Sequence, residues 1–419
     1  MLLAFLLMLG LTTSAAAASG FRLTPAVILC GSWTAIFLLQ SLFAPDMYSS
    51  GSATLVIFSI SACFLLGELF ERDLSMRRRN TPAANPSPLQ ERTGFARMRR
   101  YLGAIVILFG VSAILGIGFH WEALGLFQFG GIGEALIAIG GIRTQFLLGD
   151  IDVPLTSRVG ILFAYSGVVL SLAYWFYFGL RWWLFLAPVA VILLGIGTSG
   201  RAGLIAILLQ WLITLLLKDA TRKRWTWSGS LFLRGAVPMG IAAVAIFFLG
   251  QFLREGFAQL DEDAFFRMAR YLRFYLFGGV SAFAYYVDHF VDWTSVTYGR
   301  YSFASLFAAL GIYPQAPGVY DQYVTISADG ELSNTYGAYR SFIDDFSILG
   351  ACMFYLLSGV CLGAMYRRFL SGNRRLVAVL VPLLSWLAFS PFLSLTYFNS
   401  FLLSVFFPYA ILRVVMKKV

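Results

Sequence analysis

The sequence predicts an all-α polytopic membrane protein, a transmembrane helical bundle of about eleven spans, and three observations carry that reading. Hydrophobic residues make up 59% of the 419-residue chain, charged residues only 12%, and mean hydropathy is +0.77. Apolar runs of roughly 16 to 24 residues recur along its length, long enough to cross a hydrocarbon core as helices. Charge is segregated, with the basic residues gathered in alternate connections. A closed β-barrel is excluded, because its strands would be about ten residues long and alternate in polarity.

The apolar runs place spans near residues 1–18, 23–44, 51–70, 101–119, 160–179, 182–199, 202–217, 235–253, 343–366, 376–393 and 399–415. The first ends in small residues like a signal peptide but has no basic leader, so it reads as a short first span. The connection 71–100 carries eight arginines and the connection 218–234 five basic residues. Both belong in the cytoplasm by the positive-inside rule, together with Arg367, Arg368, Arg374, Arg375 and the basic C-terminus. The whole chain, 1–419, then reads as one integral membrane domain whose outer face is formed by two long segments, 120–158 and 254–341. Topology and anionic lipid headgroups account for the net charge of +10, so no nucleic-acid partner is implied.

Chemistry that depends on metals or nucleotides finds no support. Cys30, Cys63, Cys352 and Cys361 lie in apolar segments without metal-ligand spacing, only two histidines are present, and no phosphate-binding glycine loop or HExxH pattern occurs. No metal or cofactor is expected. What stands out is arginine on the outer face, where Arg143, Arg158, Arg201, Arg254, Arg267, Arg270, Arg273, Arg300 and Arg340 are the basic residues. Arg201 sits at the tip of a helical hairpin, Gly197-Thr198-Ser199-Gly200-Arg201-Ala202-Gly203, between two apolar runs. A cation at that depth is costly and marks a site for something negative.

The segment 254–341 reads as amphipathic at its start. Arg267, Arg270 and Arg273 recur every third residue on one broad side of a helix, as a basic face toward an anion or as an ordinary solvated face. The apolar stretch from Phe274 to Val287 would cover about 21 Å as a helix, short of the roughly 30 Å hydrocarbon core, and so belongs in the interface or re-enters. Its aromatics, with Trp293, Tyr298, Tyr301, Tyr320 and Tyr323, suit an aromatic belt or stacking on sugar rings. His289 follows directly.

The stretch Ser333-Asn334-Thr335-Tyr336-Gly337-Ala338-Tyr339-Arg340-Ser341-Phe342-Ile343-Asp344-Asp345-Phe346-Ser347-Ile348-Leu349-Gly350 leads into a span. With the Gly200-Arg201 hairpin tip and Tyr298-Gly299-Arg300-Tyr301-Ser302-Phe303, it resembles the Wzy-type oligosaccharide repeat-unit polymerases and, more distantly, the related O-antigen ligases. Those ligases place a histidine before the asparagine, where this chain has Ser333, which counts against a ligase. Family members carry Asp-Phe-Gly where this chain has Asp345-Phe346-Ser347.

The resemblance implies a GT-C-like membrane glycosyltransferase of the bacterial inner membrane. It would join undecaprenyl-pyrophosphate-linked oligosaccharide units at the periplasmic face into O-antigen or a related polysaccharide, with a chain-length regulator as partner. Arg201 and Arg340 would then clamp the pyrophosphate, assisted by Arg300, Arg273 and Arg254, since fixed guanidiniums stabilise a departing pyrophosphate without a metal. Asp344 or Asp345 would accept the proton of the attacking hydroxyl, unless they only pair with Arg340. Asn334, Tyr336 and His289 would contact sugars, with helix capping the other role open to Asn334. A lipid-linked oligosaccharide flippase is the competing class, but it would bury charges midway along several spans, which these spans lack.

Overall fold

A computed structural model describes residues 1–20, 22–77, 88–129, 134, 138, 154–198, 202–221, 237–255, 263–291, 296–313, 320 and 322–417. Arg201 and Arg143 lie outside the described residues, as do 78–87 of the segment 71–100, most of the segments 120–158 and 218–234, and the side chain of Arg254. The described chain is helical almost throughout, as the sequence predicts for a membrane helical protein. Six of its helices are long and apolar enough to cross a membrane: Pro25–Phe43, Gly51–Ser75, Phe95–Ala123, Leu155–Phe178, Gly203–Ala220 and Tyr339–Leu370. The other apolar helices are shorter, among them Leu2–Ala18, Trp182–Gly197, Gly240–Gln251 and Ser400–Met416.

The chain divides into two compact units. One comprises residues 1–83, 270–376 and 383–399. It holds α1 (Leu2–Ala18), α2 (Pro25–Phe43), α3 (Gly51–Arg77), most of α9 (Ala264–His289), the short α10 (Ala304–Ala309), α11 (Tyr339–Leu370) and the end of α12 (Val377–Phe389). Thr24 caps α2 in extended conformation ahead of Pro25, a pairing that suits a helix start. The carboxylate of Glu68 accepts the Ala26 amide at 2.7 Å, so α3 places a negative group on the N-terminus of α2.

Glycine sets the distance between α3 and α11. A Cβ at Gly67 would run into the Leu356 carbonyl oxygen, and one at Gly359 into that of Phe64. Gly363, one turn on, faces Glu68. Apolar side chains gain nothing by leaving lipid for a neighbouring helix, so close backbone approach at small residues supplies the packing. Arg367 pairs with Glu71 at the far end of the same contact. Nearer the start of α11 the core is aromatic: Trp33 stacks on Tyr339 at 5.1 Å, Phe342 on Phe354 at 4.4 Å and Tyr355 on Trp386 at 5.7 Å. The Tyr339 hydroxyl meets that of Ser61 at 2.9 Å.

Two departures from the sequence expectations concern the segment 254–341. The apolar stretch from Phe274 does not stand alone: it is continuous with the arginine-rich stretch before it, giving the 26-residue α9. A small hairpin also appears, with β1 (Val324–Thr325) antiparallel to β2 (Leu332–Ser333). Asp329-Gly330 marks its turn, Gly330 having φ +78°, and Tyr48 donates its amide to the Ile326 carbonyl at 2.8 Å.

The second unit comprises residues 84–269, 377–382 and 400–419. Its helices are α4 (Pro88–Ala123), α5 (Leu155–Phe178), α6 (Leu186–Thr198), α7 (Ala202–Ala220), α8 (Val237–Glu255) and α13, which starts at Asn399 and ends at Lys417. Again glycines make the contacts, Gly116 against Gly160 between α4 and α5, and Gly167 against Ala187 between α5 and α6. His120 is buried against the Ser157 hydroxyl at 2.8 Å.

Replacing Gly359 by valine should destabilise the protein by about 1–3 kcal/mol, because neither backbone can yield. Gly10→Ala, which meets open space, serves as the control. Thermal unfolding of the purified protein in detergent reads the difference, and equal midpoints for the two variants would refute the tight α3–α11 contact.

Candidate functional site

The site is built where α11 begins. Arg340 lies in its first turn with only 6% of its surface exposed, and Asp344 follows one turn later. Nε of Arg340 is 3.3 Å from Oδ2 of Asp344, and Nη2 donates to Oε1 of Gln322 at 2.9 Å. Three tyrosines enclose the guanidinium, its central carbon lying 4.5, 3.8 and 3.9 Å from the ring centres of Tyr286, Tyr320 and Tyr336. Burying a cation is unfavourable unless it is paired, and here a carboxylate, an amide oxygen and three ring faces compensate. Nη1 is buried with no hydrogen-bond partner among the described residues. The cage is itself held in place. Tyr286 donates to Oδ1 of Asp344 at 2.5 Å, Tyr336 to the Gln322 carbonyl at 2.9 Å, and Asn334 to the Tyr320 carbonyl at 3.3 Å. Burial is the chief reason that the Tyr320 and Tyr336 hydroxyls titrate above their ordinary value, with Arg340 opposing it, so both remain protonated near neutral pH.

Two residues beyond Asp345, the helix breaks. Ser347 has φ 64° and ψ 173°, a region that only glycine occupies without strain. The break leaves carbonyls without their intrahelical partners, and an external turn takes them up: Thr297 N–H donates to the Asp344 carbonyl at 3.0 Å and Tyr298 N–H to that of Asp345 at 3.1 Å. The Asp345 side chain completes the attachment. It accepts the Thr297 hydroxyl at 2.5 Å, the Tyr301 amide at 3.0 Å and the Ser302 amide at 2.5 Å. Both carboxylate oxygens are thereby occupied by the turn 297–302.

That turn carries Arg300, which is exposed, its guanidinium carbon 5.8 Å and 5.3 Å from the ring centres of Tyr301 and Tyr313. Tyr301 stacks on Tyr320 at 5.1 Å, so the turn rests against the cage around Arg340. Of the residues expected at the site, the structure thus gathers Arg340, Asp344, Asp345, Arg300, Tyr336 and Asn334. Tyr336 and Asn334 make their contacts within the protein, bracing the cage.

Arg273 and His289 are engaged elsewhere. Arg273 forms a two-pronged pair with Asp46 at 3.0 and 2.9 Å and lies 3.6 Å from Glu331, which also binds Arg270 at 2.6 Å. These pairs tie α9 to the hairpin and to the α2–α3 connection. His289 lies 3.4 Å from the Tyr48 hydroxyl and packs on Tyr285 at 4.3 Å, and none of its contacts is with Arg340 or Asp344. Its neighbour Asp288 accepts from Ser50, Ser52 and Tyr48 at 2.6, 2.8 and 2.9 Å. Sequence reasoning missed Gln322 and Thr297, which carry no motif. The Asp329-Gly330 hairpin signal would have brought the segment with Gln322 beside Ser333 and Asn334.

No group of three or more histidine, cysteine, aspartate or glutamate side chains that could hold a metal ion occurs among the described residues. The chain matches no family model, and neither a curated protein nor a solved structure is significantly similar to it.

Three outcomes follow from the geometry. Asp345→Ala leaves the Tyr301 and Ser302 amides without acceptors and should cost at least about 2 kcal/mol. It should open the 297–302 turn to proteolysis, whereas Asp344→Asn leaves that turn protected, and equal cleavage of both variants refutes the anchor. Ser347→Gly should raise stability by about 1 kcal/mol by removing the backbone strain, read as a higher unfolding midpoint. The Asp288 carboxylate is pushed up by partial burial but held below its usual range by the three hydroxyls. A lowered folded value means that its contribution is complete above the ordinary value of about 4 and disappears as pH falls through the folded one. The gap in unfolding midpoint between wild type and Asp288→Asn should therefore be flat from neutral pH to about 5 and close below about 4.

Proposed function

We propose that the protein is a membrane glycosyltransferase that polymerises lipid-pyrophosphate-linked oligosaccharide units at the outer face of a bacterial inner membrane. The observation that carries this reading is the Arg340 guanidinium, held by Asp344, Gln322 and three tyrosine rings, with Nη1 buried and without a partner among the described residues, and with Arg300 exposed on the adjoining turn. A preorganised cation with one donor unused favours an anion whose charge grows during reaction. In the proposed step, the bond from the anomeric carbon of the growing glycan to its lipid pyrophosphate breaks, and a bond from that carbon to a hydroxyl oxygen of the incoming unit forms. Arg340 and Arg300 stabilise the departing pyrophosphate. Asp344 accepts the hydroxyl proton: its oxygens are met by side chains, those of Tyr286 and Arg340, whereas those of Asp345 are taken up by two backbone amides and the Thr297 hydroxyl of the turn.

Arg201, expected from the sequence as the second arm of a clamp, lies outside the described residues and stays a candidate on sequence grounds. Support for the assignment also comes from the motifs around Arg340 and Arg300, and from Ser347, which has a glycine-like backbone at the place where the polymerase pattern has glycine. The absence of a histidine at Ser333 favours polymerase over ligase.

Purified protein in liposomes, supplied with undecaprenyl-pyrophosphate-linked repeat units, should build glycan ladders. Arg340→Ala should slow extension by a factor of about a hundred or more. Arg340→Lys should recover little, because an ammonium lacks both the planar fork and the stacking surface. Wild-type ladders from Arg340→Ala would sink the proposal.

A further inference from the structure

A cleft of about 1230 Å³ lies between α4, the end of α5 and the turn that follows it. Along α4 the lining residues Arg99 and Arg100, Gly103 and Ala104, and then Ile107 recur every three or four positions, which puts them on one face. Facing them are Tyr174, Tyr177, Phe178 and Trp183. Polarity changes along the cleft: Phe95 and Ala96 come first, then two guanidiniums, then Gly103, on which Tyr174 and Trp183 pack, and Ala104, and last Ile107, roughly 10 Å beyond the arginines along the helix. The aromatic wall is rigid, since Tyr174 packs edge-on to Trp183 at 4.6 Å and Phe178 packs on Phe95 at 4.9 Å. Arg99 donates Nε to the Tyr174 hydroxyl at 3.4 Å. Neither arginine has a carboxylate partner among the described residues.

This gradient is that of an amphiphile with an anionic head and an apolar tail. The volume exceeds the range of about 300–1000 Å³ usual for small-molecule sites, so a headgroup with part of an acyl chain fills it better than a free anion. We propose that the cleft is a specific site for one anionic phospholipid, whose phosphate pairs with Arg99 and Arg100 while an acyl chain lies over the exposed Ala104 and Ile107, alongside the aromatic wall that Gly103 seats. Arginine suits the phosphate because two of its N–H groups match two phosphate oxygens. Arg99 and Arg100 close the arginine-rich segment 71–100, so the lipid lies at the end of α4 where a leaflet rich in anionic lipid is expected. The site is independent of the transferase reading, since none of its residues belongs to the Arg340 site.

Native mass spectrometry of the full chain in detergent, with phosphatidylglycerol or phosphatidylcholine of the same acyl chains added at equal concentration, tests it. One phosphatidylglycerol per chain should survive detergent removal at tenfold or greater excess over phosphatidylcholine. Arg99→Gln/Arg100→Gln should lose that lipid. Ala104→Trp, which keeps both charges and fills the acyl slot, should lose it too. Equal retention of the two lipids by the wild-type chain overturns the proposal whatever the variants do. Wild-type retention in Ala104→Trp also overturns it, because the arginines would then act only as surface charge.

Discussion

One broken turn governs the candidate site. At Ser347 the backbone leaves helical geometry for a single residue near the start of a candidate span, and the carbonyls that it frees need partners. Everything adjacent follows from satisfying those groups. The turn 297–302 supplies the missing amides, Asp345 holds the same turn by its side chain, and Tyr301 is thereby set against Tyr320. Tyr320 in turn closes the cage on Arg340. Strain at one residue is exchanged for the placement of two arginines that the sequence separates by forty positions.

The neighbouring carboxylates show how position on a helix decides chemistry. Asp344 and Asp345 differ by one step, about 100° around the axis. That step turns one toward Arg340 and Tyr286 and the other toward backbone amides. The first pair is an ion pair that keeps a cation in place, and the second is a receptor for a loop. Substitutions at the two positions therefore report on different properties although the residues are adjacent and alike.

Much of the fold was legible, because hydropathy is a property of contiguous residues. The i to i+4 relation of Arg340 and Asp344 was equally readable from spacing. Other features depended on partners remote in sequence. Arg270 and Arg273 read either as a basic face toward an anion or as an ordinary solvated face, yet their carboxylates come from Asp46 and Glu331, which no local pattern links to them. The apolar stretch after Phe274 was read alone, but a helix does not stop where its polarity changes, and α9 continues through the boundary. Serine is ordinary in a helix, so nothing about Ser347 itself announced a break. Only the glycine at that place in the resembling family hinted at it. The roles of Asp344 and Asp345 could not be told apart, since adjacent identical residues carry no signal of what faces them.

The dock at Asp345 recognises main-chain N–H groups, which every residue but proline has. At position 302 the serine hydroxyl is buried without a partner among the described residues, so its side chain adds nothing to the grip. Positions 301 and 302 can then change without dislodging Arg300 provided neither becomes an imino acid, while position 297 must keep both its amide and its hydroxyl and position 298 its amide. Related chains would keep the architecture while positions 301 and 302 drift apart, and a comparison of those sequences would undervalue a contact that the backbone largely preserves.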